Sequence, residues 1–301
     1  MQLTPDISPP KTGASTDAPV QQSVCLVICY FGKAPAWMRF FFKSCAHNPD
    51  INFLIFTDCI SQEEAPINVK VVPCTLADIR SHATSTLQFD AVLDRPYKLC
   101  DYKAAYGAIF ASYLSPYSFW GMTDLDIVFG DITAFITTEL LQTNDVINAH
   151  SDYLVGHFSL YRNEAPYNRL FEISRDYKTV YTSPKVYSFA ECNFAWTAFS
   201  RKQARLTEKA VEIESMTHLV NRLADTDQLK TCFLPLVREK PQLHKQNWLL
   251  RWHNGKLSDI SLDEEIMYFH FHLFKKSPRF RIPAWQSIPD TFYINKHGFF
   301  A

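Results

Sequence analysis

Glycine is scarce in this chain, with 8 residues in 301. No stretch reads G-x-G-x-x-G or G-x-x-x-x-G-K-[ST], which excludes the common glycine-rich phosphate cradles. A phosphate-bearing ligand would have to be neutralised by some other device. Net charge is also missing. Thirty basic and 31 acidic residues leave −1, which removes the electrostatic case for bulk nucleic-acid binding. None of the eight cysteines forms a C-x-x-C pair, and this argues against a zinc ribbon. Their apolar settings, as in "VCLVICYF", predict reduced, buried thiols in a cytoplasmic protein. No apolar run reaches the about 18 residues that a transmembrane helix needs. Residues 1–21 lack a basic start and an apolar stretch, so they do not read as a secretory signal. Their Pro, Ser, Thr, Gly and Gln content predicts a disordered leader.

Aromatics are plentiful at 15%, enough to fill a core and to stack on sugar rings or bases. "SVCLVICYF" (23–31) and "INFLIFTD" (51–58) are continuous apolar runs, the mark of strands buried on both faces. Between them, "PAWMRFFFKSCAHN" (35–48) has helical spacing. A strand, a helix and a strand in about 35 residues make a βαβ unit, which predicts an α/β class with a parallel sheet. "NVKVVPC" (68–74) reads as a further strand. Residues 96–116 read as one amphipathic helix with Leu99, Tyr102, Tyr106, Ile109, Phe110 and Tyr113 as its stripe. "IMYFHFHLFKK" (266–276) alternates as a strand. One domain over 22–278 with a C-terminal extension over 279–301 is the simplest organisation.

The chemistry concentrates in "FWGMTDLDIVFGDI" (119–132). Asp124 and Asp126 are two apart, and on a strand such residues share a face, about 7 Å from each other. Ligand sites in parallel α/β sheets lie beyond the carboxyl ends of the strands. A hard divalent cation on these carboxylates would do the work of the missing glycine loop. The same spacing also describes a solvated strand end. His270 and His272 share a strand face with Tyr268 and offer either two imidazole ligands or two hydrogen-bonded edge histidines. Lys275 and Lys276 follow as cations for a departing diphosphate or as a solvated end. Lys98, Asp101 and Lys103 sit where a nucleotide or a local helix salt bridge would use them. Gly156 and His157 lie between apolar runs, where a ligand approaches the backbone or a strand bends. Glu191 is a lone acid among apolar residues and a candidate acceptor base.

Taken together, "CYFGKAPAWMRFFFKSCAHNPDINFLIFTD", "PYKLCDYKAAYG", "FWGMTDLDIVFGDI", "GHFSLYRN" and "YFHFHLFKK" resemble a bacterial family of GT-A-type glycosyltransferase-like proteins, often encoded among polysaccharide genes. The resemblance spans about residues 26 to 276. It implies a Rossmann-like GT-A fold, a nucleotide-diphosphate sugar donor such as a UDP-sugar, and a manganese or magnesium ion. By position it implies Asp124 at the ribose or the metal, Asp126 as a metal ligand, and His270, with His272 the alternate, as a third. Tyr30, Phe31 and Gly32 would hold the base, and Lys98 and Asp101 would lie near the nucleotide. Where the family pattern reads F-D-E, this chain has Ala190 before Glu191, which puts the acceptor acid in question. The expected activity is sugar transfer to a saccharide or lipid-linked acceptor in surface polysaccharide synthesis. Its rivals are a metal-dependent nucleotidyl or phosphoryl transferase and a non-catalytic sugar-binding protein. "RFRIP" and "HGFFA" near the end read either as packing on the domain or as peripheral contact with the inner face of a membrane.

Overall fold

Strand β1 (Val24–Tyr30) shows why a continuous apolar run sits mid-sheet. Val24, Leu26 and Ile28 belong to one hydrophobic cluster, and Cys25 and Val27 to another on the opposite face. A strand covered on both sides cannot alternate polar with apolar, and its sequence does not. In the computed structural model, which describes residues 23–200, 211–239 and 248–301, β1 pairs in parallel with β2 (Ile51–Thr57). Helix α1 (Met38–Ala46) connects them. β3 (Val69–Pro73) joins β2 in parallel. Helix α2 (Leu76–Leu87) follows, started by a Thr75–Asp78 capping box. The leader expected over 1–21 lies outside the described residues.

β4 (Phe119–Thr123) is buried at every position and pairs in parallel with β1. β5 (Ile127–Phe129) leaves the large sheet, while β6 (Val146–Asn148), β7 (Phe158–Arg162) and β8 (Thr231–Phe233) complete it. The order is β3-β2-β1-β4-β7-β6-β8, and β7 alone runs antiparallel to its neighbours. The protein is therefore α/β with a mostly parallel seven-stranded sheet, as its sequence pattern predicts.

A small sheet, β5-β13-β9, joins β9 (Val237–Arg238) and β13 (Tyr268–His270). β10 (Leu250–His253), β11 (Lys256–Asp259), β12 (Glu264–Glu265), β14 (Thr291–Asn295) and β15 (Gly298–Phe300) form a five-stranded sheet, in the order β12-β11-β10-β14-β15. Among the described residues no helix is long and apolar enough to cross a membrane.

Three sequence expectations are corrected here. The single helix over 96–116 is a series of short α and 3-10 turns from Pro96 to Leu114. Its expected stripe is largely buried, but so are Ala104, Ala105, Gly107 and Ala108, so the segment is enclosed rather than amphipathic. Gly107 lets it press on Trp120, where a Cβ would come within 2.4 Å of the indole. The strand over 266–276 is confined to β13, after which the chain turns and Lys275 N donates to Phe271 O at 2.9 Å.

The third correction concerns residues 279–301, which are not an appended extension. β14 pairs with β10, and Phe280, Phe292, Ile294 and Phe299 share a cluster with Phe40, Trp252 and Phe271. Gly298, at φ +118°, lets Arg281 cross it so closely that a Cβ would lie 2.0 Å from Arg281 O. Gly298→Ala combines backbone strain with overpacking and is expected to cost about 3 kcal/mol or more. Urea unfolding checks this: an unchanged midpoint would mean that the tail is dispensable.

Candidate functional site

β1, β2 and β4 all end at one edge of the large sheet, the carboxyl edge. Just past β4 the chain bends at Leu125–Asp126 and enters β5 in the small sheet. There β5 pairs antiparallel with β13, His270 opposite Ile127, and Phe271 N donates to Asp126 O at 3.1 Å. This register sets the Asp126 carboxylate between the two imidazoles that flank Phe271. His272 Nδ1 lies 3.3 Å from Asp126 Oδ2, and His270 Nε2 lies 3.7 Å from Oδ1. The three residues offer ligand atoms within 4.8 Å of one another. Lys275 caps the group, with Nζ 2.7 Å from Asp126 Oδ2 and 4.7 Å from the centre of the Trp37 ring.

The electrostatics follow from burial against charge. Burial pushes the Asp126 carboxyl up, but His270, the His272 hydrogen bond and Lys275 outweigh it and hold it well below the usual range. Burial pushes His270 down, and Asp126 and Glu239 reverse this, so its pKa stands above the ordinary value. Burial, helped by the His270 and Lys103 charges, holds His157 well below the ordinary value and keeps that ring neutral.

Among the described residues, His270 Nε2 is buried with no hydrogen-bond partner. A buried nitrogen facing a carboxylate and a second imidazole fits the place of a cation. Its other nitrogen, Nδ1, lies 3.2 Å from Glu239 Oε2. A carboxylate behind a histidine is the usual support for a metal ligand.

The remaining predicted residues divide sharply. Asp124 lies outside the group of ligand atoms that Asp126 forms with His270 and His272. Its Oδ1 accepts from Lys103 Nζ, which also donates to Gly156 O at 2.7 Å. The expectation of one face for both carboxylates assumed a continuous strand, and the bend at Asp126 removes that condition. Gly156 and Glu191 do meet: Gly156 N donates to Glu191 Oε1 at 2.9 Å, while Ser188 Oγ donates to Oε2 at 2.9 Å. Ala190 is buried in the core at 1% exposure, whereas Glu191 beside it is partly exposed. His157 packs against His270, with ring centres 4.2 Å apart and the planes tilted by 33°, and is 2.9 Å from the Tyr268 hydroxyl through Nδ1. Tyr30, Phe31 and Gly32 lie at the end of β1, where Gly32 N donates to Asp58 Oδ1 at 2.8 Å.

Lys98 and Asp101 are corrected. Both side chains are 0% exposed and pair with each other at 2.8 Å, so neither reaches a ligand. Their closeness in sequence reads correctly as a local helical salt bridge.

The profile of a family of unknown function, DUF6625, matches residues 26–301. The chain belongs to that family. No curated protein matches it. In this DUF6625 chain, Lys103 and Glu239 carry more of the site than their sequence context indicated. Glu239 arrives through the parallel register of β13 with β9, which aligns Phe269 with Arg238 and so brings the next residues together. A lone glutamate after two residues of strand carries no pattern that announces this. Tyr268 was visible as a third polar group on the histidine face of the alternation.

Proposed function

We propose that the chain is a metal-dependent glycosyltransferase of GT-A architecture, moving a sugar from a nucleotide-diphosphate donor to a saccharide or lipid-linked acceptor. One observation carries the reading. A buried His270 Nε2 with no hydrogen-bond partner among the described residues faces Asp126 and His272 at the carboxyl edge of a mostly parallel sheet. Asp126, His270 and His272 would hold the cation, and their two nitrogens and one carboxylate suit a first-row ion such as manganese better than magnesium. When bound, such an ion supplies Lewis-acid stabilisation of a departing diphosphate.

The chain's own groups are arranged around that centre. Lys275 now balances Asp126, and its partly exposed ammonium is able to swing toward a leaving diphosphate. Lys103 pins Asp124 in place and leaves that half-exposed carboxylate directed at the edge where a ribose would sit. Burial pushes Lys103 down, but Asp124 more than restores it, so the lysine remains charged. Glu191 is held by two donors and keeps acceptor capacity for the proton of an acceptor hydroxyl. The loop at Tyr30–Gly32, tied to Asp58, faces the position of a base.

A thermal-shift panel tests this reading, with nucleotide-diphosphate sugars run with and without Mn²⁺ on the wild type and His270→Gln. The expected result is stabilisation by one donor class, dependent on Mn²⁺ and absent in the variant. Stabilisation by no donor, or a shift indifferent to His270, would overturn the proposal.

A further inference from the structure

The sequence segments "RFRIP" and "HGFFA", 18 residues apart, fold against each other. Arg281 N donates to His297 O at 2.8 Å, and Phe299 N donates to Arg281 O at 3.0 Å. Between them lies a cavity of about 520 Å³, lined among others by Arg279, Arg281, Asn295, His297, Phe299 and Phe300. Its size is that of a small-ligand pocket.

Phe280 explains why both arginines line it. That ring is buried and stacks on Phe271 and Phe274, so the chain turns its flanking residues outward. Neither guanidinium has an ion-pair partner among the described residues, and no carboxylate lines the cavity. The Asn295 amide oxygen already accepts from His297 N at 2.8 Å, and the Arg281 and His297 carbonyls are used as above. The two guanidinium groups therefore bring unbalanced positive charge to a cavity whose other wall is the apolar pair Phe299 and Phe300. Two forked guanidinium groups match the oxygens of a phosphate.

We propose that this cavity binds a phosphate-bearing ligand at a site separate from the Asp126 centre. The phosphate is either that of a soluble phosphate ester or that of a lipid headgroup, and the chemistry of recognition is the same.

Full-length protein is titrated calorimetrically with inorganic phosphate, in EDTA so that the metal centre contributes nothing. A parallel arm measures co-sedimentation with phosphatidylcholine vesicles containing phosphatidylglycerol. Saturable phosphate binding is expected, weakened about tenfold or more in Arg279→Ala/Arg281→Ala. The melting temperature of that variant is expected to stay close to that of the wild type, because both side chains are exposed. Arg279→Gln, outside any strand, repeats the test with the sheet untouched. Phosphate binding without vesicle binding assigns a soluble ligand. Vesicle binding that phosphate competes away assigns a headgroup. Absence of both, or binding of equal strength in the variants, overturns the proposal. Failure of the manganese-dependent donor shift would leave this result unaffected.

Discussion

Asp126→Asn is expected to lower Mn²⁺ affinity by about 100-fold or more and to reduce the stability of the metal-free protein as well. Loss of a supporting residue behind a ligand costs about 10- to 100-fold, and loss of an anionic ligand lies at or beyond the upper end of that range. Isothermal titration of the metal measures it. The stability effect has its own signature in pH. In the wild type the His270 pKa stands above the ordinary 6.5, chiefly because Asp126 and Glu239 outweigh the opposing effect of burial. A raised pKa means that the charged histidine stabilises the fold fully below 6.5, and that this contribution fades as pH rises through the folded value. The asparagine variant lacks the charge that raises His270. The stability gap between wild type and variant is therefore expected to be widest near pH 6 and to narrow under alkaline conditions. Urea unfolding at several pH values reads the gap directly. A gap that is constant from pH 6 to pH 9 would mean that Asp126 and His270 are not electrostatically coupled.

The sequence made this centre partly visible. Three strong patterns survive in the structure: the doubly covered strands β1 and β2, the Asp126 position after β4, and the closeness of His270 in β13 to His272 in the turn just past it. Each rests on local periodicity, which short-range backbone geometry enforces. The losses have a common cause in long-range register. The bend at Asp126 separates it from Asp124 because the chain changes sheets there, which no spacing rule encodes. Glu239 reaches His270 through the pairing of β9 with β13, across a gap of 31 residues. The segment from Pro96 to Leu114 shows helical spacing in sequence but folds as short α and 3-10 turns, a difference that local periodicity does not distinguish. The tail over 279–301 looked irregular because its two strands are short and separated by proline- and aromatic-rich connections.

The buried pair Lys98–Asp101 leads to the largest expected loss of stability. Lys98 Nζ donates to Asp101 Oδ2 at 2.8 Å, to Val180 O at 2.8 Å and to Lys185 O at 2.6 Å. Asp101 accepts from Tyr187 N at 3.0 Å and from Phe189 N at 2.8 Å. Six polar groups therefore close on one another with no water required, which is the condition under which a buried ion pair is tolerated. The pair fastens the backbone from Lys185 to Phe189, and that segment runs directly into the turn that aims Glu191 at Gly156 N. Asp101→Asn keeps the shape but turns an amide donor toward the donors it must satisfy, and it leaves the Lys98 charge buried and unbalanced. Removing one partner of such a pair costs about 3–5 kcal/mol. Urea unfolding measures this loss. Mn²⁺ affinity, read by titration of the folded variant, is expected to stay within about twofold of the wild type, because sites without shared partners act independently. If the pair instead bound a nucleotide, the variant would keep its stability and lose ligand affinity. A stability loss below about 1 kcal/mol would remove the structural role assigned to the pair here.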